Sequence, residues 1–385
     1  MGQFYRFDVT SHLLIIPKIS MQKLVLAGAF SLLATMAMGQ YANSGSQKLK
    51  KAGSEIGNPG AVMDYRVSKS SWNPDSLGNH RILVQVSRQG AVARVDIPWR
   101  RRDEDPAAKG IIVVDGKTGQ VIQNNLAADF TRSSGTVYFE PVSGPGSYYI
   151  YYMPYHLKGT YYPSTQYLAA GNQADAAWLQ QAQRNKDMIK ATAVSIESVD
   201  AFNQYGPMEV ISTPKEAAAL IAKNQGEAFL VFPEDRMHPI RMTRDLPYRW
   251  IQKGPSSIFK DTADRAENFA YQLGIYAHKQ DLADVKVQFS DLTTSNGKTI
   301  ARSAITCINN TGVNWIGQPE SFTVNIPRGL VQSLWCTVAV PENAAPGLYK
   351  GTAKILTADA GSKTIQIQLE VKARLAKDHG VDEPW

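Results

Sequence analysis

The pattern that most constrains this chain lies near its end, where Ile365, Ile367, Leu369 and Val371 alternate with Thr364, Gln366, Gln368 and Glu370. A period of two puts the apolar set on one face of a strand and the polar set on the other, as in an antiparallel sheet with one wet face. The same period recurs at Ile82, Val84 and Val86, at Ala93, Val95 and Ile97 beyond the Gln89-Gly90 turn, and at Val285, Val287 and Phe289. Residues 111–114 form a short continuous apolar strand, followed by the turn signal Asp115-Gly116. Turns recur at about 8–12 residues, the spacing of a β-sandwich. No βαβ rhythm and no repeat of fixed period is visible. The chain has 385 residues, too many for one core. Its 43% apolar content excludes a mainly disordered chain, and 19% charge argues against a coiled coil. The expected fold is therefore mainly β: two β-sandwich domains (Ig-like or jelly-roll-like) with a short helical interlude.

The organisation follows from the breaks in that pattern. Met21-Gln22-Lys23 is a short basic start, residues 24–38 are apolar, and Ala37-Met38-Gly39 supplies small residues for cleavage. This predicts a signal peptide over 21–39, with 1–20 a spurious upstream extension and the mature protein exported to the periplasm or beyond. The run is too short for a membrane span. Residues 40–79 read as a leader or linker, 80–168 as the first sandwich and 169–191 as a helical linker capped at Asn172 with Asp175 in its first turn. Residues 192–374 read as the second sandwich, with one inserted helix announced by Thr213, Pro214 and Glu216. Residues 375–385 begin a further linker.

Charge and motifs exclude several function classes. The net charge is +7 without a long basic run, so no nucleic-acid partner is expected. Arg100, Arg101 and Arg102 are followed by Asp103, Glu104 and Asp105, which reads as a solvated turn. There is no dinucleotide or phosphate loop and no nucleophile elbow, and the six histidines have no metal-ligand spacing, so neither cofactor nor metal is expected. Two carboxylate pairs, Glu234-Asp235 (with Arg236 placed to neutralise it) and Asp382-Glu383, read as turn or salt-bridge residues rather than as an acid and its helper. No catalytic residue is assigned.

Residues 148–167 are rich in tyrosine. Exposed rings there would form a glycan platform, with Tyr151, Tyr161 and Tyr162 as the candidate contacts. However, Tyr148, Ile150 and Tyr152 share one face and Tyr149, Tyr151 and Met153 the other, which favours a strand buried on both sides. Cys307 and Cys336 each sit in a strand-like run. Two readings stand, a disulfide between neighbouring strands or two buried thiols acting as small apolar residues.

Residues 334–351, LWCTVAVPENAAPGLYKG, resemble the closing hairpin of β-sandwich domains that precede the catalytic barrel in secreted bacterial glycoside hydrolases. Residues 99–106, 232–255, 269–292, 307–318 and 376–385 are similar to the N-terminal region of proteins related to glycoside hydrolase family 123. That resemblance implies a following (β/α)₈ barrel that cleaves terminal β-linked N-acetylgalactosamine, using the substrate's acetamido group beside an Asp-Glu pair. The sequence stops at Trp385, where such a barrel would begin, so no catalytic residue carries over. The expectation is a non-catalytic portion of a glycoside hydrolase, truncated before its barrel, which would contact the glycan. The alternative is a free-standing exported carbohydrate-binding or surface-adhesion protein.

Overall fold

The computed structural model describes residues 63–171, 173–184 and 187–380. The signal peptide, the upstream extension, Asn172 and the Asp382-Glu383 pair lie outside the described residues. The fold is mainly β, as the alternation requires.

The first unit contains β1 (Asp64–Val67), helix α1 (Pro74–Leu77), β2 (His80–Val86), β3 (Ala93–Ile97), β4 (Ile111–Asp115), β5 (Asn125–Ala128), β6 (Gly135–Phe139), β7 (Gly146–Tyr152), β8 (Tyr155–Lys158), β9 (Ser164–Tyr167), α2 (Ala176–Gln183), β10 (Ile189–Lys190) and β11 (Thr192–Ser198). One sheet runs β1-β11-β2-β7-β4 and the other β10-β3-β6-β5. Ile82, Val84, Val86, Val95, Ile97, Trp99, Val137, Phe139 and Ile150 fill a core built from both. Strands β2 and β3 do not pair across the Gln89-Gly90 turn; they belong to different sheets, so that turn crosses the sandwich.

Three boundaries move. Strand β11 pairs antiparallel with β2 and parallel with β1, so 192–198 belongs to the first unit and not to the second. The supposed linker 169–191 is also part of that unit: β10 pairs with β3, and Trp178 and Ala182 of α2 pack on Val92. Asp175 is the N-cap of α2, accepting from the backbone of Ala177 and Trp178. Finally, 63–79 is no loose leader, because β1 extends the sheet and Trp72 packs edge-on against Tyr151. In each case the partner is remote in sequence, and local periodicity carries no information about it.

The second unit contains α3 (Pro214–Lys223), β12 (Leu230–Asp235), α4 (Tyr248–Lys253), β13 (Ile258–Arg265), β14 (Asn268–Tyr276), β15 (Lys286–Phe289), β16 (Leu292–Thr293), β17 (Thr299–Ile300), β18 (Ile305–Cys307), β19 (Thr311–Val313), β20 (Pro319–Ser321), β21 (Val331–Ala339), β22 (Gly347–Leu356) and β23 (Ser362–Leu375). One sheet runs β12-β14-β21-β18 and the other β13-β23-β22-β16-β17, with β15 also on β22. Ile365, Ile367, Leu369 and Val371 point into the core between them. Two helices, not one, are inserted, and both pack outside the first of these sheets around Leu220, Phe232 and Trp250. The Phe232 and Trp250 rings stack at 4.2 Å. Gly274 of β14 makes room for this, since a Cβ there would lie 2.6 Å from the Trp250 ring.

Residues 341–349 are not a hairpin either. They carry the chain from β21 in one sheet to β22 in the other. The Tyr349 hydroxyl donates to the Ala345 carbonyl at 2.9 Å, fixing the bend.

The arginine triplet is not a solvated turn. Arg100 is buried and donates to both Glu216 carboxylate oxygens, at 2.7 and 2.9 Å, while its guanidinium lies over the Tyr248 ring. The Ile211 amide donates to the Arg100 carbonyl at 3.0 Å. Arg132 adds a two-pronged pair with Asp245 at 2.9 and 2.7 Å. These contacts join the two units. The acidic partner expected beside the triplet takes only Arg101, which pairs with Asp103.

Candidate functional site

Glu234 and Asp235 end β12, the edge strand where Pro233 is tolerated. They line a cleft of about 310 Å³ together with Arg249, Trp250, Lys253 and Lys260. Glu234 is buried and accepts from Arg249 Nε at 3.2 Å and Trp250 Nε1 at 3.0 Å. Asp235 accepts from the Met237 amide at 2.7 Å and from His238 Nδ1 at 2.8 Å. Burial pushes the Asp235 carboxyl up, but the His238 hydrogen bond and charge and the Met237 amide outweigh it and hold it below the usual range. Arg236 does not neutralise this pair; it reaches Glu267 instead. A general acid must keep a proton to deliver at working pH. Asp235 is held as an anion, which does not suit it to act as that acid, and Glu234 is ion-paired with Arg249. Glu234, Asp235 and His238 bring ligand atoms within 4.8 Å of one another. Arg249 already holds Glu234 there, and a cation would meet that charge.

The tyrosines separate sharply. Tyr148, Ile150 and Tyr152 face the core. On the other face Arg81 lies 3.8 Å over the Tyr149 ring and 4.4 Å from the Trp72 ring. Its guanidinium also donates to Glu197 at 3.0 Å and to the hydroxyls of Ser68 and Ser70. Tyr151 sits under this third layer, only 4% exposed, and is not open to a glycan. Tyr161 and Tyr162 are 84% and 87% exposed at the tip of the β8–β9 hairpin. Their rings meet edge to face at 4.8 Å. The stem is held by Tyr155 against Tyr167, by His156 Nε2 to Gln166 at 3.1 Å, and by Lys109 over the Tyr167 ring.

Sequence reasoning missed two features. Trp315 stands 94% exposed on the β19–β20 hairpin, where Asn314 Oδ1 accepts from the amides of Ile316 and Gln318. A tryptophan set inside an Asn-x-x-Gly turn was the available signal. The second is a half-buried cluster beside the first sheet. The His80 ring stacks on Tyr205 at 4.4 Å and its Nε2 donates to the Asn203 carbonyl at 2.7 Å. Arg101 lies over Tyr205 at 4.3 Å. Burial, reinforced by the Arg101 charge, pushes the His80 pKa down to about 3. No local pattern marks this cluster, since its members come from separate segments.

Cys307 and Cys336 face each other directly across β18 and β21, both buried and both free thiols.

Comparison with known proteins bears on the first unit. Residues 70–199 match the family described as glycoside hydrolase 123, N-terminal domain. No curated protein matches the chain. Among solved structures, a family 123 glycoside hydrolase from Clostridium perfringens is 21% identical, covering 34% of this chain and 25% of that one, with a TM-score of 0.28. MyfA, the major subunit of Myf fimbriae from Yersinia enterocolitica, is 14% identical, covering 29% of this chain and 95% of that one, with a TM-score of 0.22. The present chain thus spans about a quarter of the length of the clostridial enzyme. The matched limits of the family domain end one residue beyond β11, the last strand of the first unit in chain order. The chain therefore contains, over residues 70–199, a domain related to the N-terminal domain of glycoside hydrolase family 123.

Proposed function

We propose that this chain is a non-catalytic β-sandwich portion of an exported glycoside hydrolase. Its role is to brace a catalytic barrel and to form one wall of the glycan cleft. The match of residues 70–199 carries this reading. The state of the carboxylates supports it, since Glu234 is bound by Arg249 and Trp250. The full chain, assayed with aryl β-glycosides that include the N-acetylgalactosaminide, is expected to give no turnover. Turnover that survives purification and disappears in Glu234→Gln would overturn it.

A second reading rests on the Tyr161-Tyr162 tip, whose open ring faces suit sugar C–H groups. Here the chain binds glycans on its own, and Tyr161→Ala would abolish retention on a glycan array while leaving the circular dichroism spectrum unchanged. Equal retention by the variant removes this reading.

A further inference from the structure

In the register of β18 on β21, Ile305 faces Val338, Thr306 faces Thr337 and Cys307 faces Cys336. One position further on, the Ile308 amide donates to the Trp335 carbonyl at 2.9 Å, so that facing pair is hydrogen-bonded. Hydrogen-bonded and non-hydrogen-bonded pairs alternate along an antiparallel ladder. Cys307 and Cys336 are therefore a non-hydrogen-bonded pair, the type whose Cα atoms stand about 4.5 Å apart and whose side chains come closest. That spacing lies within the range a disulfide spans. Both side chains point into the core, with Cys307 4% and Cys336 0% exposed, so the two sulfurs share one confined space.

We propose that Cys307 and Cys336 close into a cross-strand disulfide that ties the short edge strand β18 to the centre of its sheet. The oxidant is a disulfide, either of a thiol–disulfide oxidoreductase or of a small thiol. The Cys307 thiolate attacks one sulfur of that disulfide and expels the other as a thiolate, giving a mixed disulfide. Cys336 then loses its proton, attacks the Cys307 sulfur and expels the second thiolate. Two protein thiols and one disulfide become one protein disulfide and two thiols. The order follows from the surroundings. Cys307 rides on the edge strand and meets the oxidant first, whereas Cys336 stays on the internal strand β21 until the mixed disulfide is brought beside it. No oxidant reaches the closed core. Exchange takes place while β18, three residues long and bonded on one side only, is still undocked.

The test uses the full chain, unfolded in guanidinium and refolded with oxidised and reduced glutathione. The expected product is a monomer lighter than the reduced chain by two hydrogens, with no thiol open to alkylation in guanidinium. Reduction should then lower its melting temperature by about 5–10 °C, as opening a loop of this length predicts. Cys307→Ala should show the lower melting temperature with or without reductant. Two alkylated thiols after oxidative refolding, a glutathione adduct that never resolves, or a disulfide-linked dimer would each overturn the proposal. The mass and alkylation readings need only the unmutated chain, so they decide the matter even if the variant fails to fold.

Discussion

Strand β6 becomes β7, and β21 becomes β22, through two corners of the same construction. In the first, the Gly144 amide donates to the Pro141 carbonyl at 2.8 Å, and the Tyr148 hydroxyl donates to the Gly144 carbonyl at 2.8 Å. In the second, the Ala344 amide donates to the Pro341 carbonyl at 3.1 Å, and the Tyr349 hydroxyl donates to Ala345. Each carries Pro-Gly-x-Tyr, as Pro145 to Tyr148 and as Pro346 to Tyr349, and each moves the chain from one sheet to the facing one. The strands leaving the two corners differ on their outer faces. Beyond the first, the outward residues Tyr149 and Tyr151 lie under Arg81 and Trp72. Beyond the second, the outward residues Lys350 and Lys354 stand in water. The corner decides where the strand goes. The residues on its outer face decide whether a third layer comes down on it.

The sharpest way to break this comparison is to remove the charge that holds the third layer. Glu197 is buried and bonded to Arg81 and Arg66. Glu197→Ala leaves the Arg81 guanidinium buried without its partner and is expected to cost roughly 3–5 kcal/mol in urea unfolding. Lys354→Ala, its counterpart in the other unit, should stay within about 0.5 kcal/mol. Similar values for the two would mean that the layer contributes nothing.

The histidines sharpen the contrast. His80 is half-buried and held neutral, whereas His238 sits on Asp235. With the His80 pKa at about 3, the unfolded chain takes up this proton below about pH 6.5 and the folded one does not. Its contribution is complete above that value and falls away as the pH drops toward 3. Between pH 7 and pH 5 it amounts to roughly 2 kcal/mol. Urea midpoints at the two pH values should diverge in the unmutated chain and draw closer in His80→Gln. An unchanged divergence would show that His80 is not held neutral.

The smallest effect tests the corners themselves. Tyr148→Phe and Tyr349→Phe each delete one hydroxyl-to-carbonyl bond and should each cost about 1 kcal/mol. A clear inequality between them would show that the shared sequence does not do the same job twice.

Faces were legible in the sequence and partners were not. Ile365, Ile367, Leu369 and Val371 are buried as their period requires, and the two-sided apolarity of β7 is matched by burial on both faces. Alternation reports which side of a strand is dry, because that depends on the strand alone. It cannot report that 192–198 returns to β2 across roughly a hundred residues, or that Arg100 meets Glu216. The same limit explains the candidate contacts. Tyr151 and Tyr161 look alike in a tyrosine-rich run, and only the position of Trp72 and Arg81 separates them.

Glu216 oxygen Oε2 takes a hydrogen bond from the Thr213 amide at 2.8 Å, completing the cap of α3, and one from Arg100 at 2.7 Å. One carboxylate thus starts a helix of the second unit and anchors an arginine of the first. Melting either side strips the other of a charge-assisted bond. On heating, the two units should give up together, as one calorimetric peak in place of two.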